Sequence, residues 1–249
     1  MVPKPAKYVL LLLVGAGAIH LAYFYYVQPT RKMIEDYQRA ASPLPDVEAV
    51  EDLAKYQDAR ATKLLLKIAQ SPTAFPQNRE FAILALAKRG DGKITEGLAA
   101  LLRPGEALAI QLAIVGPLLD RDCQRQCIRS VIEYFDLLHN GQSMPHPVSP
   151  SSKVSQSLEN ERQEVLRLAK ELLTRNRSRT IEVLRADYGL GTATPAPFVL
   201  DLIADLHLTE ACPLLLQSKA LAEKRGNFRS DDWSVVGKVP CSQASHDHQ

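Results

Sequence analysis

Apolar residues in this chain form one continuous segment near the N-terminus, followed by shorter stretches in which they recur at helical spacing. The continuous segment, YVLLLLVGAGAIHLAYFYYV, covers residues 8–27 and contains no charged residue. A helix of about 20 residues spans roughly 30 Å, the thickness of the hydrocarbon core of a bilayer. Four aromatic residues, Tyr23 to Tyr26, stand at one end, where aromatic rings settle at a membrane interface. The pattern predicts a transmembrane signal-anchor helix at 8–27.

Two alternatives remain for this segment. Lys4 and Lys7, followed by the small residues Ala16, Gly17 and Ala18, also fit a signal peptide in which residues 1–18 are cleaved off. An apolar helix can instead be buried in a core, but a helix at the end of a chain has few neighbours to surround it. Because the apolar region of a signal peptide is about 7–15 residues long and this one is longer, we favour an uncleaved anchor.

The charges beside the segment bear on its orientation. Lys4 and Lys7 precede it with the free amine, and Arg31, Lys32 and Arg39 follow it, so the positive-inside rule gives nearly a tie. We favour residues 1–7 as a cytoplasmic-type N-terminus. The chain is then a single-pass membrane protein with its soluble domain on the non-cytoplasmic side.

Residues 28–45 form a juxtamembrane segment that ends in the stiff linker AASPLP. Apolar residues then recur three and four positions apart, and turn signals such as Gly90-Asp91-Gly92 separate the stretches. This pattern predicts an all-α protein. The predicted helices are Asp46–Gln57, Asp58–Gln70, Asn78–Arg89, Ile94–Leu102, Glu106–Leu119, Asp120–Asn140, Leu158–Thr174, Ser178–Tyr188, Pro197–His207 and Thr209–Arg225.

These helices divide into two halves, 46–140 and 158–226. A Ser/Pro-rich loop at 141–157 joins the halves, because this stretch has no apolar period. Residues 227–249 form a polar C-terminal tail.

Two stretches of the chain resemble each other and a known repeat class. LALAKRGDGKITEGLAALL, from Leu84 to Leu102, resembles the junction between two HEAT units: an inner helix, a Gly-Asp turn and an outer helix with paired leucines. LDLIADLHLTEACPLLL, from Leu200 to Leu216, is similar to a second copy that lacks the Gly-Asp turn. The resemblance to HEAT and armadillo-type repeats implies a HEAT-like α-solenoid of antiparallel helix pairs with an elongated surface for protein partners. The predicted fold is therefore a transmembrane helix followed by this solenoid. A plain helical bundle is the alternative.

The repeat-like stretch makes a specific prediction about burial. Leu84, Leu98 and Leu101 are expected to face the seam between adjacent helices, and we therefore predict that each is buried.

The charge of the chain excludes one class of partner. The sequence has 30 Lys and Arg against 28 Asp and Glu, and Lys4 and Lys7 precede the apolar segment, so the rest of the chain is neutral. A protein that binds phosphate backbones carries a basic excess, because the release of counterions supplies most of the affinity. We therefore expect no nucleic-acid partner.

Four cysteines are too few and too scattered for the framework of a small disulfide-rich domain. Cys123 and Cys127 lie four positions apart on a predicted helix, but a metal site would need two further ligands nearby. We interpret these two residues, Cys212 and Cys241 as packing or surface thiols, with a redox or metal role as the alternative.

No linear motif indicates a catalytic, cofactor or metal site. The glycines of Gly189-Leu190-Gly191-Thr192 follow a predicted helix rather than a strand, unlike those of a nucleotide-binding loop. Arg175, Arg177 and Arg179 form a small basic cluster at a helix end, and they are the residues we expect to contact an anionic ligand, if the protein has one.

These observations together predict a membrane-tethered helical-repeat adaptor that binds protein partners and contacts the lipid bilayer through residues 8–27. The alternative is an enzyme or enzyme subunit whose site is assembled from helix ends without a linear motif. A sheltered pocket with convergent polar groups would favour the enzyme, and a broad surface groove would favour the adaptor.

Overall fold

The fold comes from a computed structural model that describes residues 15–141, 153–226, 233, 237–239 and 241. These residues form helices joined by turns, and no strand occurs among them. The predicted all-α class is therefore confirmed for the described part of the chain. The chain folds as two compact units, Met1–Leu86 and Ala87–Gln249.

The first unit begins with helical residues 15–22, which continue through a π-helical turn at Tyr23–Val27 into α1. Asp46 and Asp58 begin the next two helices, since their carboxylates accept hydrogen bonds from the backbone N–H groups of Ala49 and Ala61. The elements are α1 (Gln28–Ala40), α2 (Val47–Lys55), α3 (Ala59–Gln70) and α4 (Pro76–Ala87).

Helix α1 belongs to this folded unit, although the sequence suggested that folding starts after the linker. It packs against α2 and α3, and Met33, Asp36 and Ala40 are buried. The buried amide of Asn78 on α4 donates a hydrogen bond of 2.8 Å to the Ala40 carbonyl oxygen, which satisfies a helix-end acceptor. A truncated chain must therefore keep α1 and begin no later than Gln28.

The second unit contains the remaining helices. They are α5 (Gly92–Ala99), α6 (Leu108–Leu118), α7 (Arg125–His139), α8 (Lys153–Arg175), α9 (Arg177–Asp187), α10 (Pro197–Asp205), a 3-10 turn at Thr209–Ala211 and α11 (Cys212–Lys224). Helix α5 contacts α6 and α7, α6 contacts α8, and α8 contacts α9. Helix α7 contacts α8, α9 and α10. Most of these contacts join helices one or two places apart along the chain, and the contact between α7 and α10 joins helices three places apart.

A buried polar network joins α6 to α7 and to the loop before α6. The Tyr134 hydroxyl donates to the Gln111 side-chain oxygen at 2.9 Å, and the Gln111 amide donates to the carbonyl oxygens of Pro104 and Glu106. Burial raises the pKa of Tyr134 above its ordinary value. Each polar group in this network has a partner, which removes the penalty of burying it.

The predicted burial of three leucines is confirmed for one of them. Leu98 is fully buried, whereas Leu84 and Leu101 are half-buried. On α4 the buried face consists of Asn78, Ala82, Ile83 and Leu86, so the helix is rotated relative to the predicted orientation.

Several sequence predictions fall outside the described residues. Residues 1–14, residues 142–152 of the predicted loop and most of the tail at 227–249 are among them. Helix α8 begins at Lys153, inside the range assigned to the loop, and Trp233 and Val239 of the tail are buried.

Candidate functional site

The most exposed apolar surface in the described chain is the helical segment at 15–27. Every residue from 15 to 27 is exposed, and Tyr25 and Tyr26 keep 74% and 73% of their accessible surface. An apolar patch of this kind on a folded protein marks a surface that contacts a membrane or another protein.

The described residues contain no helix that is both long and apolar enough to cross a bilayer. Residues 8–14 of the predicted membrane segment lie outside the described chain. The described remainder, residues 15–27, rises about 20 Å as a helix, against the roughly 30 Å of a hydrocarbon core. The transmembrane helix at 8–27 therefore stays a prediction.

The exposed segment is tied to the folded unit at its C-terminal end. The Thr30 hydroxyl donates to the Tyr26 carbonyl oxygen at 2.7 Å, and it accepts a hydrogen bond from the Arg60 guanidinium of α3 at 2.7 Å. Asp58 in turn pairs with Arg60 at 2.9 Å. The last aromatic turn is thus connected to α3 through a short polar chain.

The three arginines of the predicted anionic-ligand cluster lie at the junction of α8 and α9, and each has a carboxylate partner. Arg175 pairs with Glu171, Arg177 pairs with Glu210 at 3.1 Å, and Arg179 pairs with Asp122 at 2.6 Å. The ion pairs on Arg177 and Arg179 connect this junction to other parts of the same unit.

Two of these arginines also donate to the loop between α6 and α7. Arg175 donates to the Leu119 carbonyl oxygen at 3.3 Å, and Arg179 donates to the Cys123 carbonyl oxygen at 3.2 Å. Arg175 thus satisfies a carbonyl group that the end of α6 leaves without a helical partner, and Arg179 satisfies one in the loop before α7. The contact with an anionic ligand stays a prediction, because the three guanidinium groups already have internal acceptors.

The cysteines form two disulfide bonds, so their interpretation as packing or surface thiols was wrong. Cys123 bonds to Cys127, with Cα atoms 5.3 Å apart, and Cys212 bonds to Cys241, with Cα atoms 5.4 Å apart. Cys123 precedes α7 while Cys127 lies in its first turn, so the chain between them is free to bend as a bridge requires. The signal for this bridge in the sequence was a pair of cysteines four positions apart near the start of a predicted helix.

A cleft of about 520 Å³ opens between the start of α5 and the loop that follows α6. Its polar side chains include Thr95, Asp120, Arg121, Asp122 and Gln124. The Arg121 guanidinium donates to the buried Thr95 hydroxyl at 3.3 Å, and that hydroxyl donates to the Asp91 carbonyl oxygen at 3.1 Å. The cleft is thus a polar recess with an oriented cation.

The sequence singled out no residue of this cleft as functional. It did mark the Gly90-Asp91-Gly92 turn that borders the cleft, whereas Pro117, which also lines it, lies inside α6 near the end of that helix. Asp91 begins α5 by accepting from the Lys93 N–H group at 2.8 Å.

The half-buried Tyr188 gives the second unit a pH dependence. Burial, assisted by Glu133 and Asp136, raises its pKa to about 12. A tyrosine whose pKa is raised on folding contributes stability that is complete below the ordinary pKa of about 10 and is lost as the pH rises through the folded value. The free energy of unfolding of the wild type is therefore expected to fall between pH 9 and pH 11. In Tyr188→Phe we expect this fall to be smaller by about 1 kcal/mol or less, and the difference is small because part of the ring stays solvated.

The measurement is urea unfolding of wild type and Tyr188→Phe at both pH values. Tyr56→Phe, on the other unit, is the control for changing any tyrosine. An equally steep pH dependence in Tyr188→Phe would contradict the raised pKa.

Comparisons with family models, curated protein sequences and solved structures found no match for this chain.

Proposed function

We propose that this protein is a membrane-tethered helical-repeat adaptor: residues 8–27 hold it at a bilayer, and its helical units bind protein partners. The observation that carries the tether is the exposed apolar helix at 15–27, which runs without a break into α1. Because α1 packs into the first folded unit, a bilayer that surrounds the apolar segment also holds that unit at the membrane surface.

The aromatic end of the segment supports a membrane rather than a core as its environment. Tyr23, Phe24, Tyr25 and Tyr26 remain exposed directly before Arg31 and Lys32. Aromatic rings followed by cations are the usual order of residues where a helix leaves a bilayer.

The disulfide bonds support the non-cytoplasmic side for the helical units. Disulfides persist in oxidising compartments, whereas cytosolic thiols are kept reduced. The same orientation follows if residues 1–7 stay in the cytoplasm.

The contact pattern of the second unit supports a HEAT-like repeat. In a stack of helix pairs, each helix contacts its partner in the pair and the equivalent helix of the next pair. Helices α5, α7 and α9 contact in succession, and α6 contacts α8, which matches two rows of stacked helices. The proposal assigns the partner-binding role to surfaces of such a stack.

Membrane fractionation tests the tether. The full-length, uncleaved chain is expected to stay in the membrane pellet after washes with high salt and with alkali, and a chain beginning at Gln28 is expected to be released. Ile19→Lys with Leu21→Lys should weaken retention, because a charge in the hydrocarbon core costs about 2.5–3.5 kcal/mol.

Leu44→Lys is the matched control for these lysine substitutions. Leu44 is 71% exposed and lies outside the apolar segment, so its replacement should leave membrane retention unchanged. Release of the intact full-length chain by alkali would refute the tether.

Site-specific photo-crosslinking in cells tests the adaptor role. A photoreactive amino acid at Phe81 or Leu216, the exposed large apolar residues of α4 and α11, should give adducts of discrete mass. The same amino acid at the exposed Lys93 is the control for random collision. Adducts that are absent at both apolar positions, or equally strong at Lys93, would contradict partner binding through these surfaces.

A further inference from the structure

The cleft beside α5 has the size and the chemistry of a small binding site. Its volume of about 520 Å³ lies within the range of about 300–1,000 Å³ that ligand pockets occupy. Gly90 and Gly92 form part of its wall, and a Cβ atom added at either would meet no atom within 4 Å. The backbone there is open to an approaching group.

Arg121 is the unusual side chain in this cleft. It is half-buried, yet it makes no ion pair with a carboxylate in the described part of the chain. Its one hydrogen bond to a side chain, to Thr95, uses an Nη1 donor and leaves most of the guanidinium donors for another acceptor. A cation partly removed from water is stabilised when an anion pairs with it.

The neighbouring carboxylates restrict the anion that can bind. Asp122 is neutralised by Arg179 at 2.6 Å and accepts a hydrogen bond from Gln124. Asp120 is exposed and makes no ion pair within the described residues, so it keeps its negative charge beside Arg121. Arg121 supplies one positive charge, so it can neutralise one negative charge of a ligand, and the second charge of a phosphate or sulfate would remain beside Asp120.

We propose that this cleft is a binding site for a single carboxylate group, held by the guanidinium of Arg121 and oriented by the Thr95 hydroxyl. A guanidinium matches a carboxylate geometrically, because two parallel N–H groups reach its two oxygens. Thr95 acts as a positioning residue, since its hydroxyl fixes one end of the guanidinium. The carboxylate belongs either to a small free acid or to an acidic side chain of a protein partner.

The site is independent of the membrane tether. Loss of carboxylate binding would leave membrane retention unchanged, and loss of retention would leave the cleft intact, so the two proposals fail separately.

Ligand-observed fluorine NMR tests the site on the full-length chain in detergent micelles, with fluoroacetate as the probe. Binding should broaden the fluoroacetate resonance saturably at constant ionic strength. Arg121→Gln is expected to weaken binding at least about tenfold, because it removes charge-assisted hydrogen bonds. Thr95→Val should weaken it by a smaller factor, and Thr95→Ser, which keeps the hydroxyl, should restore it.

Arg185→Gln is the matched control, because Arg185 is an exposed arginine of the same unit that makes no ion pair in the described chain. It removes the same charge and should leave fluoroacetate binding unchanged. Equal melting temperatures of the variants show that the fold is retained.

Competition distinguishes the two sources of the carboxylate. Displacement of fluoroacetate by acetate and by N-acetylglutamate α-amide at similar concentrations indicates a small free acid. Displacement by the glutamate derivative at about tenfold lower concentration indicates an acidic side chain of a partner. The proposal is overturned if wild type gives no saturable broadening, if Arg121→Gln binds as wild type does, or if phosphate displaces the probe at lower concentration than acetate.

Discussion

Replacing Leu98 with alanine is expected to lower the free energy of unfolding of this protein by about 2–5 kcal/mol. The Leu98 side chain on α5 is fully buried, and α5 contacts both α6 and α7. Truncation removes apolar surface from the core and leaves a cavity that the surrounding helices fill only in part. The measurement is guanidinium unfolding of a chain beginning at Gln28, followed by circular dichroism.

Two comparisons make this prediction specific. Lys93→Ala, on the exposed side of α5, should change the free energy of unfolding by less than about 0.5 kcal/mol. On α4, Leu86→Ala should cost more than Leu84→Ala, because Leu86 is fully buried and Leu84 is half-buried. Similar costs for Leu98→Ala and Lys93→Ala would show that α5 does not pack as described.

The α4 comparison also shows where sequence reasoning reaches its limit. The helix itself was predicted, since Pro76–Ala87 overlaps the expected Asn78–Arg89. Its orientation was not, because the run FAILALA is apolar at every position and so marks no single face. In the observed orientation the buried amide of Asn78 donates to the Ala40 carbonyl oxygen on α1, a contact that the apolar pattern does not reveal.

Helix starts were predicted well where a side chain caps them. Asp46 and Asp58 both accept from backbone N–H groups three residues later, and the two predicted helices start at these residues. The Asp58 pKa is lowered, chiefly by the hydrogen bond from the Ala61 N–H group. Such signals are local, so a single sequence carries them.

Contacts between distant positions could not be predicted in the same way. Arg179 lies 57 positions from Asp122, and Arg121 lies 26 positions from Thr95. Glu171 is a local partner of Arg175, four positions earlier on the same helix, but no local pattern records that Arg177 meets Glu210 or that Arg179 meets Asp122. The cleft was missed for this reason.

The second large effect is expected from the disulfide between Cys212 and Cys241. It closes a loop with a sequence separation of 29 and connects the start of α11 to the tail, in which Trp233 and Val239 are buried. The chain-entropy model gives about 3–4 kcal/mol for a loop of this length and about 2 kcal/mol for the separation of 4 between Cys123 and Cys127. The longer loop stabilises more because its closure removes more freedom from the unfolded chain.

We therefore expect Cys212→Ala with Cys241→Ala to lower the melting temperature by roughly 10 °C, and Cys123→Ala with Cys127→Ala to lower it by about half as much.

The chain carrying all four substitutions should melt at the same temperature with and without dithiothreitol, which controls for effects of the reductant other than breaking the disulfides. Cys212 is buried, so each alanine variant also loses a sulfur contact, whereas reduction of the wild type keeps the atoms and breaks only the bonds. Reduced wild type that melts at the temperature of oxidised wild type would contradict a stabilising role for both bridges. If the two double-alanine variants have equally lowered melting temperatures, only the dependence of the stabilisation on loop length is contradicted.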